Sequence, residues 1–353
     1  MPRTRTRLLG QALRLGGVTG AAALLLASTQ AGDRAVDDGT CPAGETCSPE
    51  TPAGLLFEGA PLGYIPAITA HTIAAGGRQT FTIIDKATMA PLAAPFAVAT
   101  TDATFAGTPV GPAAVAVTAR GAGAALLRVL SPEGLLYDRV DVTSRVITDV
   151  VAYPTHTAAY PAIMPPRWVG FAGGRVEVAL QLRADADDVV DEGLQVTTAA
   201  QLQRTAWNTF ALVAPAAGAI DLAVDAGDQR GLAATVTVVD QFDRIDAPPA
   251  RAIGVGGVTT VCFSAKTATA AGDALVVGVP WRLTLAGPAT AEAAQPHPAC
   301  LELTPTATGT VTVTATAAGH TATATLDVTG AAKPSGPAWA WLGTDGERAA
   351  ASE

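Results

Sequence analysis

The densest group of side chains able to bind or react is acidic. Asp185, Asp187, Asp188, Asp191 and Glu192 fall within one short stretch. Hard cations such as calcium want several carboxylate oxygens converging on a loop, so Asp185, Asp187, Asp188 and Asp191 form a candidate calcium site. The run lacks the glycine of the helix–loop–helix calcium motif and contains Val189 and Val190, so a solvated loop between strands is the competing reading. Asp221, Asp225 and Asp228 form a thinner cluster. On a strand, Asp221 and Asp225 would share a face but stand about 13 Å apart, too far for one ion. No cofactor is expected, calcium being the single candidate the pattern admits.

Catalytic constellations are missing. His71, His156, His297 and His320 are dispersed, and two of them sit beside turn residues, where an exposed loop histidine is ordinary. No GxSxG, HExxH, SxxK or phosphate-loop pattern occurs, so no enzymatic activity is expected. Trp168 and Trp207 suit either a sugar-stacking platform or the filling of core volume left by small residues. Trp339 and Trp341, in PAWAWL, suit either a docking element that adds to a sheet edge or a segment that packs back or stays disordered.

Cys41 and Cys47 are close in CPAGETC, while Cys262 and Cys300 lie in the last third. An even count in an exported chain reads as two disulfides. The simplest pairing is Cys41–Cys47 and Cys262–Cys300; the other pairings tie the N-terminal segment to the last domain and remain open, as do free thiols at the second pair. A zinc site is disfavoured because no CxxC pair or nearby histidine is present.

Export is indicated by the first 31 residues. Arg3, Arg5, Arg7 and Arg14 precede a short apolar run from Val18 to Ala27, and Thr29-Gln30-Ala31 offers small residues for cleavage. That run is too short for a membrane span, and no later stretch is long and apolar enough for one. Cys41 stands in a poor lipoprotein context. The net charge of the 353 residues is −9, and removal of the leader takes four arginines with it. Such a balance argues against nucleic-acid binding, which needs basic patches. Hydrophobic residues make up 49%, so buried cores are affordable to the fold, and the 36 glycines and 25 prolines break up long helices.

The elements that must carry these residues are strands. Ala75-Gly76-Gly77-Arg78 opens an alternating run with Phe81 and Ile83 on one face. Ala172-Gly173-Gly174-Arg175, 97 positions later, opens another with Val176, Val178 and Leu180. Gly121 and Gly218 keep the same offset. The last third ends in the clearest hairpin: Val311, Val313 and Ala315 face Ala322, Ala324, Leu326 and Val328 across a turn at Ala318-Gly319-His320. Short strands in units of about 100 residues indicate an all-β fold of stacked sheets, because a lone ribbon cannot bury its apolar face. The expected division is a signal peptide (1–31), a Cys-containing segment (32–51), sandwiches at 52–146, 147–241 and 242–329 with short Pro-bearing joints that make a semi-rigid rod, and a disordered tail (330–353).

The ending GTVTVTATAAGHTATATLDV resembles the closing strands of bacterial immunoglobulin-like modules, the kind found in tandem in invasin- and intimin-like surface proteins. The opening CPAGETCSPETPAGLLFEGAPLG, followed by such repeats, is similar to exported proteins of myxobacteria. The resemblance implies three tandem immunoglobulin-like sandwiches serving as a non-enzymatic spacer or an adhesion module in the periplasm, at the cell surface or outside the cell. It implies a surface protein or glycan as partner. The alternative is a carbohydrate- or protein-binding accessory module that uses loops at a sandwich end. Trp281 lies between Cys262 and Cys300, but 38 residues are too few for an inter-sheet bridge of the antibody kind, so that pair is expected to be a local staple.

Overall fold

The computed structural model describes residues 41–62, 65–69, 72–155, 167–293, 297–331, 339–342 and 347–350. The leader at 1–31, the segment 32–40, His71 and His156 lie outside these residues. The described chain is all β. No helix is present among the described residues, and so none is long and apolar enough to cross a membrane.

Residues 55–145 supply β1 (Leu55–Glu58), β2 (Pro61–Leu62), β3 (Ile65–Thr69), β4 (Thr72–Ala74), β5 (Arg78–Asp85), β6 (Ala90–Pro91), β7 (Ala97–Thr100), β8 (Phe105–Gly111), β9 (Ala114–Ala119), β10 (Gly123–Leu130) and β11 (Leu136–Arg145). Residues 149–239 supply β12 (Asp149–Pro154), β13 (Trp168–Phe171), β14 (Arg175–Ala184), β15 (Asp187–Val189), β16 (Gln195–Thr197), β17 (Gln201–Arg204), β18 (Thr209–Val213), β19 (Gly218–Ala226) and β20 (Gln229–Val239). The remainder forms β21 (Arg244–Asp246), β22 (Arg251–Val255), β23 (Thr259–Cys262), β24 (Ser264–Thr269), β25 (Gly272–Val277), β26 (Arg282–Ala286), β27 (Ala289–Ala291), β28 (Cys300–Pro305), β29 (Gly309–Ala317), β30 (His320–Ala331), β31 (Trp339–Leu342) and β32 (Glu347–Ala350). The last two pair antiparallel within the segment expected to be disordered.

The chain divides into two compact units, the first comprising residues 1–59, 80–118 and 123–143, the second 60–79, 119–122 and 144–353. In the first unit one sheet runs β1-β5-β9-β8, with β6 paired to β5, and the other runs β11-β10-β7. This is the ABED and CFG strand order of an immunoglobulin-like sandwich. Alternation drives it: Leu55, Phe57, Phe81, Ile83, Val115 and Val117 of one sheet are buried, as are Leu127, Val129, Val140 and Val142 of the other. The loop closed by Cys41–Cys47 docks on β11, where Leu136 N–H donates to Thr46 O (2.9 Å) and Ser48 N–H to Leu136 O (2.8 Å).

The second unit contains this order once in full and once without a strand in the place of β1. Sheet β12-β14-β18-β17 stacks on β16-β19-β20-β13 through Val176, Val178, Leu180 and Leu182 against Leu222, Val224, Val236 and Val238. Sheet β23-β28-β27 stacks on β22-β30-β29-β26 through Val261, Phe263, Leu301 and Leu303 against Val311, Val313, Leu326 and Val328. The terminal hairpin matches the sequence reading, and its two-residue turn needs positive φ at both positions: Ala318 adopts 44° and Gly319 83°. Cys262 and Cys300 are direct partners across β23 and β28, with Cα atoms 4.0 Å apart, so the bridge lies within one sheet.

Candidate functional site

The repeated Gly-Gly motif makes a tight turn before the second strand of each sandwich. Gly77 N–H donates to Ala74 O (2.8 Å) with Gly76 at φ 78°, and Gly174 N–H to Phe171 O (3.1 Å) with Gly173 at φ 75°. This is the type II turn, whose third residue must take positive φ and is therefore glycine. A third copy occurs at Gly254–Gly257, with Gly256 at φ 78° and Gly257 N–H directed at Gly254 O. Sequence reading missed it because it follows after 83 positions rather than 97. The signal was present in Gly256-Gly257 followed by the alternating Thr259, Val261 and Phe263.

Within the second unit these turns are receiving surfaces. β4, just before the first turn, takes a parallel bridge from the residue after β15: Ala74 N–H donates to Val190 O and Val190 N–H to Thr72 O, both at 2.9 Å. Asp191 then clamps the turn. Its Oδ1 accepts the N–H groups of Arg78 (3.1 Å) and Gly193 (2.8 Å), and its Oδ2 accepts that of Gly227 (2.7 Å). The carboxylate is 4% exposed and makes these charge-assisted bonds out of water. Asp228 N–H donates to Ala75 O (2.8 Å) so close to the turn that a Cβ on Gly76 would lie 2.0 Å from Asp228 Oδ1.

The second receiving surface is β13. It pairs in parallel with β20 on one side and with β25 on the other, Trp168 opposite Leu275, Val169 opposite Val276 and Gly170 opposite Val277. The result is one seven-stranded sheet, β16-β19-β20-β13-β25-β24-β21, carrying strands from both sides of the 241/242 boundary expected from sequence. A separate apolar core backs it, formed by Val169, Phe171, Phe242, Ala265, Val276 and Ala317, with Trp281 packed against it. His320 stacks on Phe242 at 4.7 Å, and Phe242 meets Phe171 edge-on at 6.0 Å. A Cβ on Gly174 would lie 1.8 Å from Gly278 O.

The side chains singled out in the sequence are mostly spent on this architecture. Asp187 pairs with Arg145, Asp188 accepts from Gln181, Asp191 is the buried clamp, and Asp185 sits in the exposed β14–β15 turn at φ 57°. The expected calcium ligands therefore face different partners, and among the described residues no group of three or more His, Cys, Asp or Glu side chains is placed to hold a metal ion. Asp221 accepts from Thr235 Oγ1 (3.0 Å), and Asp225 from Gly231 N–H (2.8 Å). Trp168 and Trp207 both pack on the core, and Trp168 Nε1 donates to Ala152 O (3.3 Å). His297 Nδ1 accepts Ala299 N–H (3.0 Å). An open groove of about 680 Å³ lined by Thr197, Ala200, Pro215, Gly218 and Asp221 holds a single ionisable group, the Asp221 already bonded.

Among the described residues a charge network of four side chains lies on a surface. Arg244 bonds Asp273 (2.5 Å) and Asp246 (2.9 Å), and Lys266 bonds Asp246 (2.8 Å). The Arg244 bond holds the Asp273 carboxyl below its usual range. Burial pushes Asp246 up, but Lys266 and Arg244 outweigh it and leave that carboxyl lowered too. These exposed pairs fix strand register more than they stabilise the fold.

No family model and no curated protein matches the chain. Among solved structures, domains 4–9 of the surface layer protein SbsC align at 14% identity over 78% of this chain and 48% of that one, with a TM-score of 0.26. Invasin, a bacterial integrin-binding protein, aligns at 14% over 78% and 60% with a TM-score of 0.22, and the titin I67–I69 fragment at 9% over 79% and 99% with 0.18. The chain thus spans about half the length of the SbsC fragment. At such scores the immunoglobulin-like assignment rests on the strand order itself, and the resemblance to myxobacterial proteins gains no sequence match.

Proposed function

We propose that the protein is an exported, non-enzymatic structural module in which the second unit acts as a stiff spacer, presenting the chain to a surface protein or a glycan. The observation that carries this reading is the parallel pairing of β13 with β25. Sandwiches in tandem are ordinarily joined by linkers and move against each other. Here backbone hydrogen bonds and the core around Phe242 replace the linker. The disulfides Cys41–Cys47 and Cys262–Cys300 support an oxidising compartment. The dispersal of titratable side chains supports a role without chemistry.

Spin labels at the exposed positions Gln201 and Thr310, both in the second unit, test the stiffness in the full chain. Wild type gives one narrow distance, and Gly174→Ala, whose Cβ collides with Gly278 O, broadens it. A broad distribution in wild type refutes the spacer reading. Protease accessibility on intact cells tests export independently.

A further inference from the structure

In the first two sandwiches the second long strand has a partner on its outer edge. β1 lies on β5, from Leu55 opposite Asp85 to Glu58 opposite Thr82, and β12 lies on β14, from Asp149 opposite Arg183 to Pro154 opposite Val178. The third sandwich starts the same way and then departs from it. β21 pairs with β24, Asp246 opposite Ser264, and the same register continued would set Pro248 opposite Cys262 and Ala250 opposite Thr260. Pro248 and Pro249 stand at that point, and a proline has no N–H to give a ladder. The chain turns instead to β22, which pairs with β30. Among the described residues β23 is thus bonded to β28 alone.

The open edge of β23 presents defined backbone groups. Phe263 N–H donates to Ala299 O (2.9 Å), and alternation from that pair turns the backbone groups of Val261 towards β28 and those of Thr260 and Cys262 outward. Arg251 reaches one of them: its Nη2 donates to Thr260 O (2.9 Å) and to Thr259 Oγ1 (2.7 Å). A guanidinium only donates, so it cannot serve the outward N–H groups of Thr260 and Cys262, which need an acceptor. The Thr260 side chain is turned away from the core that holds Val261 and Phe263, yet the residue is 4% exposed and its Oγ1 has no hydrogen-bond partner among the described residues. A hydroxyl covered in this way calls for a polar group laid over it. β32 lies beside this strand. Its backbone comes within 8 Å of that of β23, and it is bonded to β31 along one edge only. The unused edge of a hairpin therefore stands next to the unused edge of a sheet.

We propose that the C-terminal hairpin is a built-in cap: β32 adds to the outer edge of β23 and supplies the strand that Pro248 and Pro249 divert. Its carbonyl groups accept from the N–H groups of Thr260 and Cys262, and its backbone meets Thr260 Oγ1. The hairpin is tethered to β30, which gives it an effective concentration of about a millimolar at the edge. It shields backbone groups that would otherwise template pairing with other chains. The segment that carries Trp339 and Trp341 thereby gains a place, because β31 is the outer strand of the cap. This capping is independent of export and of the β13–β25 pairing.

Single-residue hydrogen exchange, read by mass spectrometry on the full chain and on a chain ending at Ala331, tests it. Val261, whose backbone is bonded to β28 in both, is the internal reference. Thr260 and Cys262 are protected in the full chain, and truncation speeds their exchange about tenfold or more while Val261 is unchanged. The double variant Ala349→Pro with Ala350→Pro, which removes an N–H from each edge of β32, repeats the result without shortening the chain. Fast exchange at Thr260 and Cys262 in the full chain, protection that survives truncation, or equal acceleration at Val261 overturns the proposal. So does protection that grows between about 1 and 100 μM protein, which would make a strand of a second copy the occupant.

Discussion

Asp191→Ala removes the acceptor of three backbone N–H groups, those of Arg78, Gly193 and Gly227, in a place that is 4% exposed. Hydrogen bonds to a charged group are each worth about 1.5–3 kcal/mol net, and a stranded buried donor costs about 1–3 kcal/mol. Against this stands the desolvation of the carboxylate, which the variant no longer bears. Breaking a buried charged cluster by removing one partner costs about 3–5 kcal/mol, and the lower half of that range is expected here because neutral N–H groups, not a lone charge, are left behind. The assay is selective. All five tryptophans fall within the second unit, so fluorescence-detected urea unfolding follows that unit. The transition moves to lower urea by the equivalent of about 3 kcal/mol, and the amides of Arg78 and Gly227 exchange about 100-fold faster, at tenfold per 1.4 kcal/mol. Asp191→Asn keeps one oxygen and loses about half as much. An Asp191→Ala transition within about 1 kcal/mol of wild type, with unchanged amide exchange, refutes the clamp.

Three further outcomes follow from the same geometry. Ala318→Gly relieves a left-handed alanine in the β29–β30 turn and stabilises the second unit by about 0.5–1 kcal/mol, read as a higher urea midpoint. Replacing Cys262 and Cys300 together by alanine releases a closed loop of 38 residues and costs about 4 kcal/mol on the chain-entropy relation; an unchanged midpoint after reduction would exclude the bridge from the stability of this unit. Burial, with the 2.6 Å bond to Glu50, pushes the Tyr137 hydroxyl up to about 12. The folded state therefore holds this proton more tightly than the unfolded state, so the stabilisation is complete below about pH 10 and is lost as pH rises towards about 12. Tyr137→Phe removes that alkaline loss, measurable by circular dichroism across the pH range.

Strand character was legible wherever alternation was strict. Phe81 and Ile83, Val178 and Leu180, and Val311 and Val313 are buried where period two places them. The Gly-Gly repeat was legible as a repeat but not as a receiving surface, because reception depends on Val190, Asp191 and Gly278, which lie far away in sequence and follow no local pattern. The third turn was hidden by its shorter spacing. The acidic run illustrates the converse. Its composition suited a cation loop, yet the β14–β15 hairpin sends alternate carboxylates to opposite faces, Asp187 to Arg145 and Asp188 to Gln181. Composition reports which atoms are available; strand alternation decides whether they meet.

The parallel pairing of β13 also sets an order of events for a chain that emerges N-terminus first. β20 covers one edge of β13, but Trp168 must wait for Leu275 before the other is covered, so that edge stands open until β25 is made. Such distant pairing is slow to form and leaves an apolar edge open to wrong neighbours in the meantime. Fusing two sandwiches into one sheet thus exchanges a flexible linker for a dependence on whatever guards that edge until the later strand arrives.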